Sequence, residues 1–340
     1  MIYPEVIILI NSLLSCFSNG LLIYLILKNS PASMANYKYL MLIFAIFGVL
    51  FAFVNISSQP ILHFHQSGYV IFSKNPLDLP RALGFWYIAF DAACLGMTLS
   101  LLSFHFIYRF FTVCKPKLLF LFSFPYFIIP TAIFIAVSMN WWLVCFFGAG
   151  ESQLKTDYFK KSLLDNYGVE EQEYTYIAIL FFKTDPITLE ESWSLPDCLV
   201  VLNLFAIISL GFSVIFYCWY RIHHQLQNFQ FSPKTLEMQT QLFLSLIIQT
   251  LIPVFFLYLP AGIIFLIPIL KIQPGPLEGV FLSLITTQSF VDALIPMYFI
   301  KSYRKAVKDF FEITSGVVGS RRWVSGTVEN NSRTVFVNKT

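Results

Sequence analysis

Apolar residues are gathered into seven long runs that are separated by polar segments. An α-helix rises about 1.5 Å per residue, so about 20 apolar residues cross the roughly 30 Å hydrocarbon core of a bilayer. Each run is long enough for one crossing. The runs cover residues 6–27, 40–62, 82–107, 119–147, 198–219, 242–270 and 279–300. The pattern predicts an all-α membrane protein, a seven-transmembrane helix bundle with spans one to seven in that order.

A long polar segment, residues 148–197, separates spans four and five. It contains one short apolar run, residues 177–182, which is far too short to cross a bilayer. We therefore predict that this run forms a strand or a lid. Residues 1–300 are predicted to form one seven-transmembrane domain with a long outer loop at 148–197.

The basic residues predict which end of the bundle faces the cytoplasm. With the N-terminus outside, 15 of the 22 Lys and Arg residues and 4 of the 19 acidic residues lie on the cytoplasmic side. Cytoplasmic loops carry an excess of Lys and Arg, so we predict an outer N-terminus and a cytoplasmic C-terminus. Sequons at Asn330 and Asn338 lie in the tail that this topology places inside, and sugar at either site would contradict it.

The segment after span seven has the pattern of an amphipathic helix. Its apolar residues fall on one helical face, and its cations lie off that face. The apolar face comprises Tyr303, Ala306, Val307, Phe310 and Phe311. We predict a short juxtamembrane helix at residues 301–314 that binds membrane lipid, followed by a disordered cytoplasmic tail at residues 315–340.

Composition excludes several classes of protein. Hydrophobic residues make up 57% of the chain and charged residues 12%, against about a quarter charged in soluble domains. The sequence contains no nucleophile motif, phosphate-binding loop or metal-ligand spacing, so we expect no enzyme, cofactor or metal site, and nothing indicates nucleic acid binding. We expect His63 and His65 to be solvated, and at most one disulfide, between Cys145 and Cys198.

Two acidic residues lie inside predicted spans. A carboxylate exposed to lipid at such depth would cost about 2.5 to 3.5 kcal/mol, so both side chains should face the bundle interior. Asp91, in span three, is either a polar anchor in a ligand pocket or a hydrogen-bonded packing group, and the sequence leaves both open. Asp292, in span seven, is expected to face polar neighbours such as Asn19 of span one.

The end of span three and the middle of span six carry candidate switch residues. Arg109 lies at the predicted cytoplasmic mouth, where a guanidinium either holds one helix arrangement through a partner or serves as an ordinary membrane anchor. His105, one turn earlier, is expected to make a structural hydrogen bond. Pro253 and Pro260 each remove a backbone hydrogen bond from span six, which predicts a bend there.

Several motifs together resemble those of nematode seven-transmembrane chemoreceptors of the serpentine receptor class r (Str) type. The resemblance runs from span one to the basic segment after span seven. It rests on residues 36–41 (NYKYLM), 105–110 (HFIYRF), 114–116 (CKP), 176–178 (YIA), 249–253 (QTLIP) and 292–296 (DALIP). The family usually has Asp-Pro where this chain has Asp292 followed by Ala293.

The resemblance implies a chemosensory, odorant-type receptor coupled to a heterotrimeric G protein. It also implies a place in the plasma membrane, in the cilia of sensory neurons. Our hypothesis for the residues that bind a small volatile or soluble ligand is Asp91, Met97, Asn203, Tyr258 and Gln288. Our hypothesis for the switch and G-protein coupling is His105, Tyr108, Arg109, Pro253, Pro260, Asp292, Pro296 and Tyr298.

Alternatives for both ligand and function stay open. A cavity with few polar groups favours a volatile ligand, whereas nine acidic against four basic residues at 148–196 favour a cationic or larger soluble one. A ligand-gated channel of the inverted seven-helix type requires the N-terminus inside. A small-molecule transporter is the other alternative.

Overall fold

The computed structural model describes residues 4–31, 34, 36–74, 77–184, 190–228 and 233–314, and the predicted tail at 315–340 lies outside this part of the chain. Within it, seven helical segments are long and apolar enough to cross a membrane, which confirms the predicted spans. The spans are α1 (Pro4–Asn29), α2 (Tyr37–Ser58), α3 (Arg81–Cys114), α4 (Ile128–Leu143) with the π-helical turn Val144–Gly148, α6 (Leu195–Asn228), α7 (Pro233–Pro253) joined to α8 (Leu259–Ile269) by the π-helical segment Val254–Tyr258, and α9 (Glu278–Phe299).

Some helix ends differ from the predicted ones because backbone geometry decides them. The prediction extends span two to residue 62, but α2 ends at Ser58, since Gln59 adopts a left-handed conformation (φ 43°) and Pro60 follows it. Span four is predicted from residue 119, but α4 begins at Ile128, and a 3-10 helix, Pro116–Phe122, precedes it. Spans three and five are longer than predicted, with 34 residues in each helix.

A small antiparallel sheet covers one end of the bundle, which we call the sheet end. Its strands lie in the order β1 (Ile61–His65), β2 (Gly68–Ser73) and β3 (Thr175–Leu180). Strand β3 is the short apolar run for which the sequence predicts a strand or a lid. The all-α description therefore holds for the bundle but not for its cap, which also contains α5 (Gln153–Tyr167) and the hairpin β4 (Phe182–Thr184) and β5 (Glu191–Trp193).

Spans one, two and seven pack through small and polar side chains. Ser15 and Ser289 lie 2.8 Å apart between their hydroxyl oxygens, and Asn11 Nδ2 donates to Thr287 Oγ1 over 2.9 Å. In lipid no hydrophobic effect drives helices together, so close packing and interhelical hydrogen bonds must hold them. The polar face of α1 therefore points into the bundle.

The opposite end, which we call the basic end, carries α10 (Lys301–Thr314), the predicted amphipathic helix. Tyr303 is fully buried, and its hydroxyl lies 2.6 Å from Ser30 Oγ of the segment after α1. Phe310 is 62% exposed, and the side chain of Phe311 lies outside the described residues. The predicted apolar face thus divides, with its first turn packed on the bundle and Phe310 left to contact lipid.

Candidate functional site

A cavity lies beneath the sheet, between spans two to seven. It holds about 1030 Å³ not occupied by atoms, its mouth included. Its walls are mostly aliphatic and aromatic, and Asp91, Tyr69 and Tyr258 bring polar oxygens to them. A concave, mostly apolar space with a few polar groups is typical of a small-molecule binding site.

Asp91 of α3 supplies a carboxylate to this cavity. The residue is only 8% exposed. Ser58 Oγ donates to Asp91 Oδ2 over 3.4 Å, while Oδ1 is buried without a hydrogen-bond partner among the described residues. Burying a polar atom without a partner is unfavourable. Oδ1 is therefore available to accept an N–H or O–H group from a bound molecule.

Aromatic side chains form much of the cavity wall. Trp141 of α4 packs closely against α3. A Cβ atom at Gly96 would lie 2.5 Å from its ring, so the glycine makes room for the indole. Tyr69 of β2 faces the cavity from the roof. Burial raises the pKa of Tyr69 well above its usual range, so its hydroxyl stays protonated and can donate or accept a hydrogen bond.

A buried ion pair fixes the cap to span five. Lys155 Nζ of α5 lies 2.8 Å from Asp197 Oδ1 at the start of α6, and it also donates to Ala178 O of β3 over 2.8 Å and to Gly148 O over 3.1 Å. Burial lowers the pKa of Lys155, and the carboxylate of Asp197 opposes that shift. Three acceptors around one ammonium compensate its lost hydration.

A second polar cluster fixes the cap to span seven. His63 Nδ1 of β1 lies 3.0 Å from Glu278 Oε2 at the start of α9, and Nε2 lies 2.7 Å from Ser162 Oγ of α5. Tyr167 donates to the same Glu278 oxygen over 3.3 Å. The expectation of a solvated His63 is therefore wrong, because a carboxylate 215 positions away in the chain comes to meet it. His65, by contrast, is half-buried.

The two cysteines considered for a disulfide both lie at the sheet end. Cys145 is buried and lines the cavity, and Cys198 is half-buried at the start of α6. Both are free thiols, as are the other four cysteines of the described chain. Within the described residues, the cap is therefore held by the Lys155–Asp197 ion pair and the His63–Glu278 cluster rather than by a disulfide.

At the basic end, Arg109 is buried inside the bundle rather than exposed at the membrane surface. It is 3% exposed, and its Nη1 donates to Gln239 Oε1 of α7 over 2.9 Å. Its Cζ lies 4.4 Å from the ring centroid of Tyr37, a favourable cation–π geometry. Nε and Nη2 have no hydrogen-bond partner within the described ranges. This placement favours a partner-held arginine over a simple anchor.

The neighbours of Arg109 on α3 complete a polar cluster with Tyr37. His105 Nδ1 lies 3.2 Å from the Tyr37 hydroxyl, the structural hydrogen bond expected for it. The ring of Tyr108 lies 5.4 Å from that of Tyr37 between centroids. His105, Tyr108 and Arg109 thus all contact one tyrosine at the start of span two.

Span six changes its winding between two prolines. Pro253 ends α7, the next five residues form a π-helical segment, and Pro260 lies at the start of α8. This π-helical segment, which is wound more loosely than an α-helix, lies where the prolines predict a bend. Tyr258 closes the segment, donates to Leu95 O over 3.5 Å and lines the cavity.

The predicted switch residues of span seven separate into two groups. Asp292 is buried and accepts a hydrogen bond from Gln288, and Pro296 is buried one turn later. Asn19 was expected to be a polar neighbour of Asp292. It does reach span seven, but its side chain donates to Ser289 O over 3.2 Å rather than to Asp292. Tyr298, by contrast, is 64% exposed on the outside of the bundle.

Comparison with known proteins shows the family to which the chain belongs. The family described as "Serpentine type 7TM GPCR chemoreceptor Str" matches residues 5–308. The chain belongs to this family of serpentine chemoreceptors.

Individual members extend the match over most of the receptor. "Serpentine receptor class r-10" of Caenorhabditis briggsae is 28% identical over 87% of this chain and 86% of its own length. The protein of the same name from Caenorhabditis elegans is 27% identical over 84% of each chain. "G-protein coupled receptor str-33" of Caenorhabditis elegans is 22% identical over 86% of each chain. The family consists of receptors and not enzymes, which confirms the resemblance and the expectation that this chain is no enzyme.

Two of the five residues hypothesised to bind ligand line the cavity of this receptor, namely Asp91 and Tyr258. Met97 instead packs against the aromatic cluster of Phe44 and Phe47 on span two. Three of the five therefore fall outside the wall: Met97, Asn203 and Gln288.

The roof of the cavity is the part that sequence reasoning missed. Strands β2 and β3 face the cavity with Ile71, Ile177 and Ile179, and Trp141 and Cys145 contribute from span four. The apolar run at 177–182 was the available signal for β3, since a buried strand reads as continuously apolar. The sequence offered no comparable signal for Trp141.

Proposed function

We propose that this serpentine receptor binds a small external molecule in the cavity beneath the sheet and then activates a heterotrimeric G protein at its basic end. The sheet end faces outwards in this proposal, with the N-terminus outside and the C-terminus in the cytoplasm. One observation carries it: inside a mostly apolar cavity, one buried oxygen of Asp91 has no hydrogen-bond partner among the described residues.

The cavity supports a particular class of ligand. Its apolar walls favour a small, largely hydrocarbon molecule, as volatile odorants are, over a peptide. Asp91 Oδ1 lacks a donor among the described residues, so a ligand with one N–H or O–H group would satisfy it. A small amine or alcohol meets both conditions. The acidic outer segment at 148–196 would attract the amine in particular.

The basic end supports a switch that acts through span six. The hydrogen bond from Arg109 to Gln239 ties span three to α7, and the π-helical segment between Pro253 and Pro260 gives span six a place to bend. Release of this tie would uncover a groove beside Arg109 for the G protein. A relative carries the name "G-protein coupled receptor str-33", which supports this class of partner.

Charge supports the proposed topology and location. The excess of Lys and Arg lies at the end that carries α10, where anionic lipid headgroups would bind the cations of that helix. By resemblance to the family, we place the receptor in the plasma membrane and in the cilia of chemosensory neurons. Epitope tags at each terminus test the topology, because only the N-terminal tag should be reachable on intact cells.

The test of function is a panel of small volatile alcohols, amines, ketones and esters applied to cells that express the receptor with a G protein. We compare wild type with Asp91→Asn, which keeps the shape of the side chain, and with Arg109→Ala. Arg221→Ala, an exposed cation of α6, is the matched control. In Asp91→Asn we expect a large rise in the ligand concentration needed for a half-maximal response. In Arg109→Ala we expect loss of the G-protein signal.

The outcomes separate this proposal from the two other functions. A ligand-evoked current without G-protein signal, together with an inner N-terminus, would identify a channel. Uptake of labelled ligand without a signal would identify a transporter. A normal response of Arg109→Ala at equal surface expression would refute the coupling site.

A further inference from the structure

A second pocket adjoins the ligand cavity at the sheet end, between span one, span seven and strand β1, and we call it the side chamber. It holds about 850 Å³ not occupied by atoms, its mouth included. Its walls come from α1, β1, α5 and α9. Pro60 and Leu282 line both the side chamber and the ligand cavity, so the two spaces meet at these side chains.

The roof above the cavity is closed by a continuous hydrogen-bonded structure. Strands β2 and β3 pair along their whole length. Lys155 ties β3 to span five, and His63 ties β1 to Glu278 of span seven. A ligand that entered from above would have to separate backbone pairs and leave buried charges without partners. A path beside the sheet requires neither.

The side chamber changes from polar to apolar along its depth. Glu5 and Lys74 form its rim among the described residues, and their side chains are 46% and 43% exposed. Tyr167 is half-buried, and its hydroxyl donates a hydrogen bond to Glu278. Deeper, Ile8 is only 2% exposed. Such a gradient would let a small molecule with one polar group lose its water in steps rather than at once.

Where the side chamber meets the ligand cavity, one lining residue is rigid and the other can change its conformation. The ring of Pro60 fixes its own backbone angle, whereas Leu282 of α9 can exchange between staggered rotamers. We propose that the side chamber is the access route of the receptor, in which a small amphipathic ligand binds first and then passes between Pro60 and Leu282 into the cavity. The class of ligand named here rests on the proposed function, whereas the route rests only on the two adjoining pockets.

A native thiol makes the route measurable without a known ligand. Cys145 lines the ligand cavity and not the side chamber. Methyl methanethiosulfonate is a small neutral reagent whose thiomethyl group is transferred to the cysteine sulfur with release of methanesulfinic acid. Mass spectrometry of the peptide that contains Cys145 gives the labelling rate in the full chain, in membranes.

The decisive variant is Gly279→Trp, because Gly279 lines the side chamber and not the cavity. The indole should fill the chamber and slow labelling of Cys145 about fivefold or more, since packed protein admits no reagent. Val280→Trp is the matched control, because Val280 is its neighbour, is 47% exposed and lines neither space. Control and wild type should label at the same rate.

Two further variants keep the test decisive if Gly279→Trp does not fold. Ile61→Trp fills the same chamber from β1 and should also slow labelling, whereas Leu282→Ala should accelerate it severalfold by widening the contact. Equal labelling in the Trp variants, their control and wild type would overturn the route and indicate passage from lipid between helices. Loss of G-protein signalling would leave these rates unchanged, so the route and the proposed function fail separately.

Discussion

The hydrogen bond between Arg109 and Gln239 makes the sharpest prediction about signalling. Gln239 Oε1 accepts from Arg109 Nη1 over 2.9 Å and ties α7 to α3 at the basic end. If this arrangement is the resting state, removing the acceptor destabilises the resting state and leaves the stability of the active state unchanged. Gln239→Ala should therefore raise signalling in the absence of ligand.

The size of the effect follows from the kind of bond. A hydrogen bond to a charged group contributes about 1.5 to 3 kcal/mol, which is a factor of about 10 to 150 in an equilibrium constant. If about 1% of unliganded receptors are active, losing the bond would raise that share to between about 10% and 60%. Gln239→Glu should act in the opposite direction, because a carboxylate beside the buried guanidinium of Arg109 strengthens the tie.

The assay is nucleotide exchange by a G protein in membranes that contain equal amounts of each variant, without ligand. Gln241→Ala is the matched control on the same helix, since Gln241 donates only to Glu237 of α7 itself among the bonds described for it. The control should keep the wild-type basal rate. Basal rates of Gln239→Ala and Gln239→Glu that are equal, or that move in the same direction, would refute the reasoning.

Three further predictions concern the sheet end. Asp91→Asn should raise the half-maximal concentration of a donor-bearing ligand by about 10- to 150-fold, and a response within threefold of wild type would exclude Asp91 as its anchor. Lys155→Met leaves the buried carboxylate of Asp197 without its cation, at a cost of about 3 to 5 kcal/mol. The melting temperature of the purified receptor should therefore fall by far more than in Lys160→Met, which removes the cation of an exposed ion pair. Equal falls in melting temperature would contradict this. Burial, with His63 nearby, lowers the pKa of His65 from 6.5, so its contribution to stability is complete above that pH and is lost on acidification below it. His65→Gln should flatten the rise of melting temperature between about pH 5 and 7, and an unchanged slope would oppose the assignment.

The bundle was predictable because lipid leaves the chain little choice. Every backbone group within the hydrocarbon must be paired inside the protein, so each apolar run of sufficient length becomes a helix. Helix ends were less predictable, as at Gln59, where a left-handed residue ends α2 although the apolar pattern continues into β1. A strand and a helix share that pattern over a few residues.

The candidate site was predictable only where the chemistry of a single side chain fixed which way that side chain faces in the bundle. Asp91 had to face inwards, because lipid does not solvate a carboxylate. Met97 was also expected to bind ligand, but it follows Asp91 by six residues, which rotates it about 240° around the helix and away from the cavity. Leu95, one turn after Asp91, does line the wall. Partners far apart in the chain, such as His63 and Glu278, could not be paired from spacing.

Span six connects the sheet end to the basic end of the receptor. Its π-helical segment could couple ligand binding in the cavity to the hydrogen bond at Arg109. Tyr258 lines the cavity and closes the π-helical segment, while Gln239 holds Arg109 about 28 Å further along the same span, at about 1.5 Å per residue. Pro253 and Pro260 between and beside them lack amide hydrogens, so this stretch resists rewinding less than a regular helix does. We infer that a ligand against Tyr258 biases the winding and thereby the tie to Arg109. Coupling between sites is reciprocal, so the substitution Gln239→Ala must also tighten ligand binding in the cavity.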